Sequence, residues 1–85
     1  MPVISRFYGI VVVMYFNDHN PPHLHAKYAD SEALFDFSGN VIEGALPKRA
    51  LKLTKDWIEL HTLELEENWR RARAGEPLNM IDPLE

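Results

Sequence analysis

Apolar and polar positions change rhythm along this chain, and each rhythm predicts a different element. Residues 7–16 carry Phe7, Ile10, Val11, Val12, Val13, Met14, Tyr15 and Phe16 without alternation, as a strand covered on both faces requires. Residues 17–22 collect turn formers, and the pair Pro21-Pro22, which lacks backbone donors, ends that strand. Residues 23–29 alternate, with Leu24, Ala26 and Tyr28 facing one way and His23, His25 and Lys27 the other, the pattern of a half-exposed strand. Asp30-Ser31 serves as a hairpin turn into residues 32–37, and residues 41–43 add a short fourth strand. This turn sets Tyr28 opposite Ala33, Ala26 opposite Phe35 and Leu24 opposite Phe37, and on the other face it sets His25 against Asp36.

From residue 47 to about residue 73 the spacing turns helical, with Pro47 at the first helical position and Gly75 and Pro77 closing the helix. Leu53, Trp57, Ile58, Leu60, Leu65 and Trp69 share one broad arc, opposite Lys48, Lys52, Lys55, Glu59, Glu66 and Arg70. His61 falls within the apolar arc, where a backbone carbonyl or the hydroxyl of Tyr8, Tyr15 or Tyr28 is its expected partner. The predicted architecture is one α+β domain: a small antiparallel sheet of three or four strands, then one long amphipathic helix packed on one face. An extended tail, residues 76–85, keeps Leu78, Met80, Ile81 and Leu84, and either folds back or docks on a partner. One helix covers only one sheet face, so Val11, Val13 and Tyr15 need a lid from the tail, a second copy or a different protein.

Composition narrows the picture. Eighty-five residues hold one domain with a small core, and 46% hydrophobic with 26% charged residues is an ordinary globular balance. The absence of cysteine excludes disulfides and thiolate zinc sites, and at this size it points to the reducing cytoplasm. No apolar run is long enough to span a membrane, and the N-terminus lacks the basic region and cleavage signal of a secretory peptide. A net charge of −4 disfavours broad nucleic-acid binding, RNA included. A local anion site stays open, because Lys48, Arg49 and Lys52 cluster where a helix start already attracts anions. The competing reading is a solvated face with Lys52 or Lys55 paired to Asp56 or Glu59.

The candidate chemistry is concentrated in one run. His19, His23 and His25 fall within seven consecutive positions, on a proline-stiffened loop and the strand after it. His23 and His25 point to the same side, and His19 or Asp18 can fold over to complete three ligands for zinc or a similar divalent ion, leaving one position open. A solvated turn with local hydrogen bonds is the plainer alternative. Without a metal, His23 and His25 would act as acid and base, with His19 assisting and Asp36 orienting. Lys48 and Arg49 would hold phosphate, which gives a phosphodiesterase or ribonuclease-like activity. Facing Asp36, His25 equally reads as half of an ordinary cross-strand ion pair.

The Phe7-Tyr8-Gly9-Ile10 opening, the histidine-proline run of residues 17–25 and the segment Leu46-Pro47-Lys48-Arg49-Ala50-Leu51-Lys52-Leu53 together resemble the small bacterial proteins grouped as domain of unknown function 4160. The resemblance spans nearly the whole chain and implies no activity. It does imply a setting beside another small protein, in an arrangement that looks like a toxin and antitoxin pair. The leading expectation is therefore a protein-interaction module that binds the small protein encoded alongside it or forms a homo-oligomer. A histidine-based toxin or a metal-binding protein is the alternative.

Overall fold

Tyr8 and Gly9 both take positive φ, 50° and 81°, and their two-residue turn divides the apolar run of residues 7–16 into a hairpin. The computed structural model, which describes residues 2–85, therefore has β1 (Val3–Phe7) and β2 (Ile10–Val13) where one strand was expected. An unbroken apolar run carries no period that marks its point of reversal, and Gly9 is the only turn former within it. The sheet continues through β3 (His23–Tyr28), β4 (Ser31–Asp36) and β5 (Val41–Ala45), an antiparallel meander in the order β1-β2-β3-β4-β5.

The β3–β4 turn is Ala29-Asp30, with Ala29 at φ 52°, one residue earlier than Asp30-Ser31. The register consequently pairs Leu24 with Phe35, His25 with Leu34 and Ala26 with Ala33, and it sets Asp36 opposite His23 rather than His25. Every predicted pair slips by two residues. Because side chains alternate with a period of two, each still lies on its expected face. Ala at positive φ has no sequence signature, which is why the turn was misplaced.

One sheet face, carrying Ile10, Val12, Leu24, Ala26, Ala33 and Phe35, is fully buried against α1 (Lys48–Leu60) and α2 (Thr62–Ala74). The single long helix is thus two. His61, at φ −127° and ψ 26°, leaves the helical region, and its N–H bonds the Ile58 carbonyl before Leu65 N–H resumes the ladder on His61. The break changes the phase of the apolar face. Leu60 is exposed instead of buried, and α2 buries Leu65, Asn68, Trp69 and Ala72. Pro47 stands just ahead of α1 as its cap residue, and Gly75, at φ 75°, closes α2 with the Gly75 and Glu76 N–H groups bonding Ala72 and Arg71.

The tail folds back. Asn68 fixes it by a reciprocal pair of 2.9 Å hydrogen bonds with Asn79, Trp57 Nε1 donates to the Asp82 carbonyl at 2.8 Å, and Ile81 N–H donates to the Ile4 carbonyl at 2.8 Å. It covers the outer edge of β1, not the second face of the sheet. That face is covered in part by the chain's own loop between β2 and β3. There Tyr15 sets its ring edge-on to His25 and its hydroxyl accepts from Lys27, while Val13 beneath is completely buried. No helix among the described residues is long and apolar enough to cross a membrane.

Candidate metal centre

Asn17, at φ 55°, and the proline pair turn the loop after β2 so that Asp18 faces the start of β3. Asn17 N–H is tied to the Ala72 carbonyl at the end of α2, which anchors the loop to the helical layer. The result brings Asp18, His23 and His25 together, one ligating atom from each lying within 4.8 Å of the others. Asp18 Oδ2 stands 2.9 Å from His23 Nε2 and 3.4 Å from His25 Nε2. Of the two residues the sequence offers as third ligand, the loop presents Asp18. His19, 82% exposed, turns outward and serves Asp18 instead, placing its backbone N–H and its Nδ1 on Asp18 Oδ1 at 2.9 and 3.0 Å.

The orientation of the two imidazoles follows from their other contacts. His23 Nδ1 donates to the Pro21 carbonyl at 2.8 Å, an oxygen that only accepts, and this contact turns Nε2 toward Asp18. His25 Nδ1 lies 3.0 Å from Glu32 Oε2 and its Nε2 forms a long hydrogen bond of 3.4 Å with Asp18 Oδ2, so the ring is held between two carboxylates. Both Nε2 atoms therefore face one carboxylate oxygen. His23 is only 2% exposed, packed on Trp69 with ring centroids 5.4 Å apart. Although its Nε2 is within ion-pair distance of Asp18, the directions are wrong for a hydrogen bond, and the atom has no hydrogen-bond partner. A buried polar atom in that condition costs about 1 to 3 kcal/mol. Among the described residues one other buried side-chain atom shares it, Ser5 Oγ, beside the register shift in β1.

Electrostatics favour the ionised acid. Burial pushes the Asp18 carboxyl upward, but the His19 N–H, the His25 ring and the facing His23 and His19 outweigh it and hold the group below the ordinary carboxylate range. A carboxylate and two converging imidazole nitrogens form a set that a divalent cation can satisfy at once. Donors about 2.0 to 2.2 Å from one tetrahedral ion stand roughly 3.3 to 3.6 Å apart, and the 3.4 Å between Asp18 and His25 already meets that spacing. Glu32 on His25 Nδ1 and the Pro21 carbonyl on His23 Nδ1 are the outer contacts that orient metal-bound imidazoles.

The other predicted site residues lie elsewhere. Asp36 sits opposite His23 in the register, yet its carboxylate accepts from Ser38 N–H, Asn40 N–H and Asn40 Nδ2 and is used up in closing the β4–β5 turn. Burial raises its pKa and these hydrogen bonds lower it further, so the net direction is down. The orienting role assigned to Asp36 falls to Glu32, which reaches His25 diagonally across the hairpin. Lys48, Arg49 and Lys52 are not brought to the histidines. Arg49 lines a cleft with Tyr8, Tyr28 and Pro47, at the end of β3 opposite His23, and Lys52 is paired with Asp56 at 3.0 Å. His61 takes neither a carbonyl nor a tyrosine. Its Nδ1 meets Glu64 at 2.6 Å, one turn on. Glu32 and Tyr15 were missed by the sequence reading, because one is revealed only by the correct hairpin register and the other only by the fold of the loop.

The family described as Domain of unknown function (DUF4160) matches residues 9–70, a stretch that contains all three converging residues, α1 and most of α2 but leaves out β1, the last turn of α2 and the tail. No curated protein and no solved structure matches the chain.

Proposed function

The chain belongs to the DUF4160 family, whose description names no activity, and we propose that it is a divalent-metal-binding protein of the cytoplasm with Asp18, His23 and His25 as ligands. The observation that carries this reading is the buried Nε2 of His23, which makes no hydrogen bond and converges with His25 Nε2 on the Asp18 carboxylate 2.9 Å away. Two imidazoles and one carboxylate are the ligand set of catalytic zinc and of non-haem iron sites, and such a set leaves coordination positions for water or substrate. Those positions would open toward a shallow cavity of about 380 Å³ lined by His19, His25, Glu32, Leu34, Glu43 and Gly44. An ion there would polarise a bound group or lower the pKa of a bound water.

Phosphodiester chemistry has less support. The cavity beside the histidines carries Glu32 and Glu43 and no cationic side chain but imidazole, while the Lys48 and Arg49 pair lies at the far end of the sheet. The interaction role implied by the family's paired setting is compatible with metal binding and rests on a separate feature, the open edge of β5.

Calorimetric titration of the purified protein with ZnCl2, and separately with Mn²⁺ and anaerobic Fe²⁺, tests the reading. One equivalent should bind, and at a hundredfold excess over Kd it should add about 2.7 kcal/mol of stability. For a domain of this size that is a rise in Tm of roughly 10 to 20 °C. Asp18→Asn, a nearly isosteric change on a loop, should abolish saturable binding while the protein stays folded. Equal binding by Asp18→Asn and by the unaltered chain would overturn the proposal.

A further inference from the structure

The two edges of the sheet are treated differently. On β1 the tail lies across the outer edge, with Ile81 N–H on the Ile4 carbonyl and the Ile81 side chain 3% exposed. Among the described residues β5 pairs with β4 alone, and all five of its residues are exposed, including Val41 at 40% and Ile42 at 46%. An uncovered edge presents a row of free backbone donors and acceptors, and proteins generally cover, shorten or charge such an edge. Here one edge is covered and the other is not.

Side-chain rows show what would fit the open edge. Val13, His25, Leu34 and Glu43 follow one another across β2, β3, β4 and β5 on the face that carries the histidines. Val41, opposite Phe35, belongs to the helix-covered face, and the irregularity between Leu34 and Phe35 leaves Ile42 between them. An added strand would therefore meet an apolar side chain on one face and a carboxylate on the other. Glu43 forms no ion pair among the described residues, and Glu32 stands beside it on the same cavity wall. Self-pairing is disfavoured by charge. An antiparallel pair of β5 strands centred on Glu43 sets that carboxylate against its own copy, and like charges directly opposite are destabilising. Each copy also carries a net charge of −4.

We propose that β5 is a docking strand for an extended segment of a partner protein in which apolar residues alternate with Lys or Arg. The backbone of that segment pairs along Val41–Ala45. Its apolar side chains continue the Val41 face, and its cations face Glu43 and Glu32, closing the outer wall of the cavity beside His25. This inference does not rest on metal binding and survives its failure.

The test uses blocked nine-residue peptides in which valine alternates with lysine or with glutamate, titrated into the isotopically labelled full chain and followed by amide NMR shifts and hydrogen exchange. The lysine peptide should shift and protect amides of residues 41–45 with affinity at least about tenfold above the glutamate peptide, a preference that high salt weakens. Glu43→Lys should reverse the preference, and Glu43→Gln should erase most of it. Equal responses to the two peptides, shifts centred outside residues 41–45, or sedimentation showing that β5 pairs with a second copy would each overturn the proposal.

Discussion

Two histidines in this molecule start from nearly the same circumstances and end differently. His23 packs on Trp69 with ring centroids 5.4 Å apart and faces the Asp18 carboxylate at 2.9 Å; His61 packs on Trp57 at 5.5 Å and faces Glu64 at 2.6 Å. His61 is satisfied by one partner three residues away, at the joint between two helices, and Glu64 is half exposed to water. His23 is not satisfied. Its Nδ1 is spent on the Pro21 carbonyl, its Nε2 lacks a hydrogen bond, and a second imidazole, His25, competes for the same Asp18 oxygen. A histidine with a local carboxylate has a complete pair, whereas two histidines converging on one carboxylate have the ligand arrangement that the proposed metal site requires.

The strongest way to break that contrast is to remove the carboxylate from each side. Asp18→Asn should lower affinity for Zn²⁺ by more than about 100-fold, whereas Glu64→Gln should leave it unchanged, both read by calorimetry. If the two variants lose affinity equally, the contrast between the regions is empty. Next in size is the outer contact of the proposed metal site. Glu32→Gln keeps a hydrogen bond to His25 Nδ1 but loses the charge, and it should cost about 10- to 100-fold in metal affinity with little change in the apo protein's Tm. Lowering the pH should also weaken metal binding, because protons compete for the imidazole nitrogens, and the apparent affinity should fall continuously below neutrality.

Asp36 supplies a smaller, purely structural comparison. Asp36→Ala removes the acceptor for two N–H groups and a side-chain amide at the β4–β5 turn and should cost about 1 kcal/mol in denaturant unfolding, with metal affinity unaltered. The native Asp36 carboxyl lies below its ordinary value of 3.8, so the unfolded chain binds more protons in that range and stability rises with pH. The difference between Asp36→Ala and the unaltered protein should therefore be fully present above about pH 5. Its charge-dependent part should shrink as the pH falls through 3.8 and be lost below the native value. The smallest effect belongs to the satisfied histidine. Glu64→Gln should change stability by less than about 1 kcal/mol, since one member of the pair is largely in water.

Much of the architecture was legible in local pattern. Alternation placed residues 23–29 and 32–37 on strands, close to the observed 23–28 and 31–36, and put His23 and His25 on one side of β3, although His23 at the start of the strand also packs on Trp69 of α2; Gly75 marked the end of the helical region correctly. The misreadings share one origin, turns made by residues that do not advertise them. Tyr8 and Ala29 adopt positive φ without sequence cues, and His61 interrupts a helix whose apolar spacing runs on through it. The first concealed a strand, the second displaced the β3–β4 register by two residues, and the third exposed Leu60. In the site, His23 and His25 were legible because two residues apart on a strand always share a face. Asp18 could be named only as one of two choices with His19, and Asp36 was assigned to the wrong histidine because the assumed turn was one residue late.

The sequence by itself determined the class of the fold, the side of β3 that carries imidazole, and the absence of thiolate ligands, since these depend on residue type and on the fixed period of a strand. Tertiary structure decided which atom meets which. The loop after β2 had to be pinned to Ala72 and laid over the sheet before Asp18 could reach two rings, and the correct register had to bring Glu32 to His25. Likewise the tail had to return to Ile4 before one edge of the sheet was closed and the other left open. Such contacts join residues distant along the backbone, and no local periodicity encodes them.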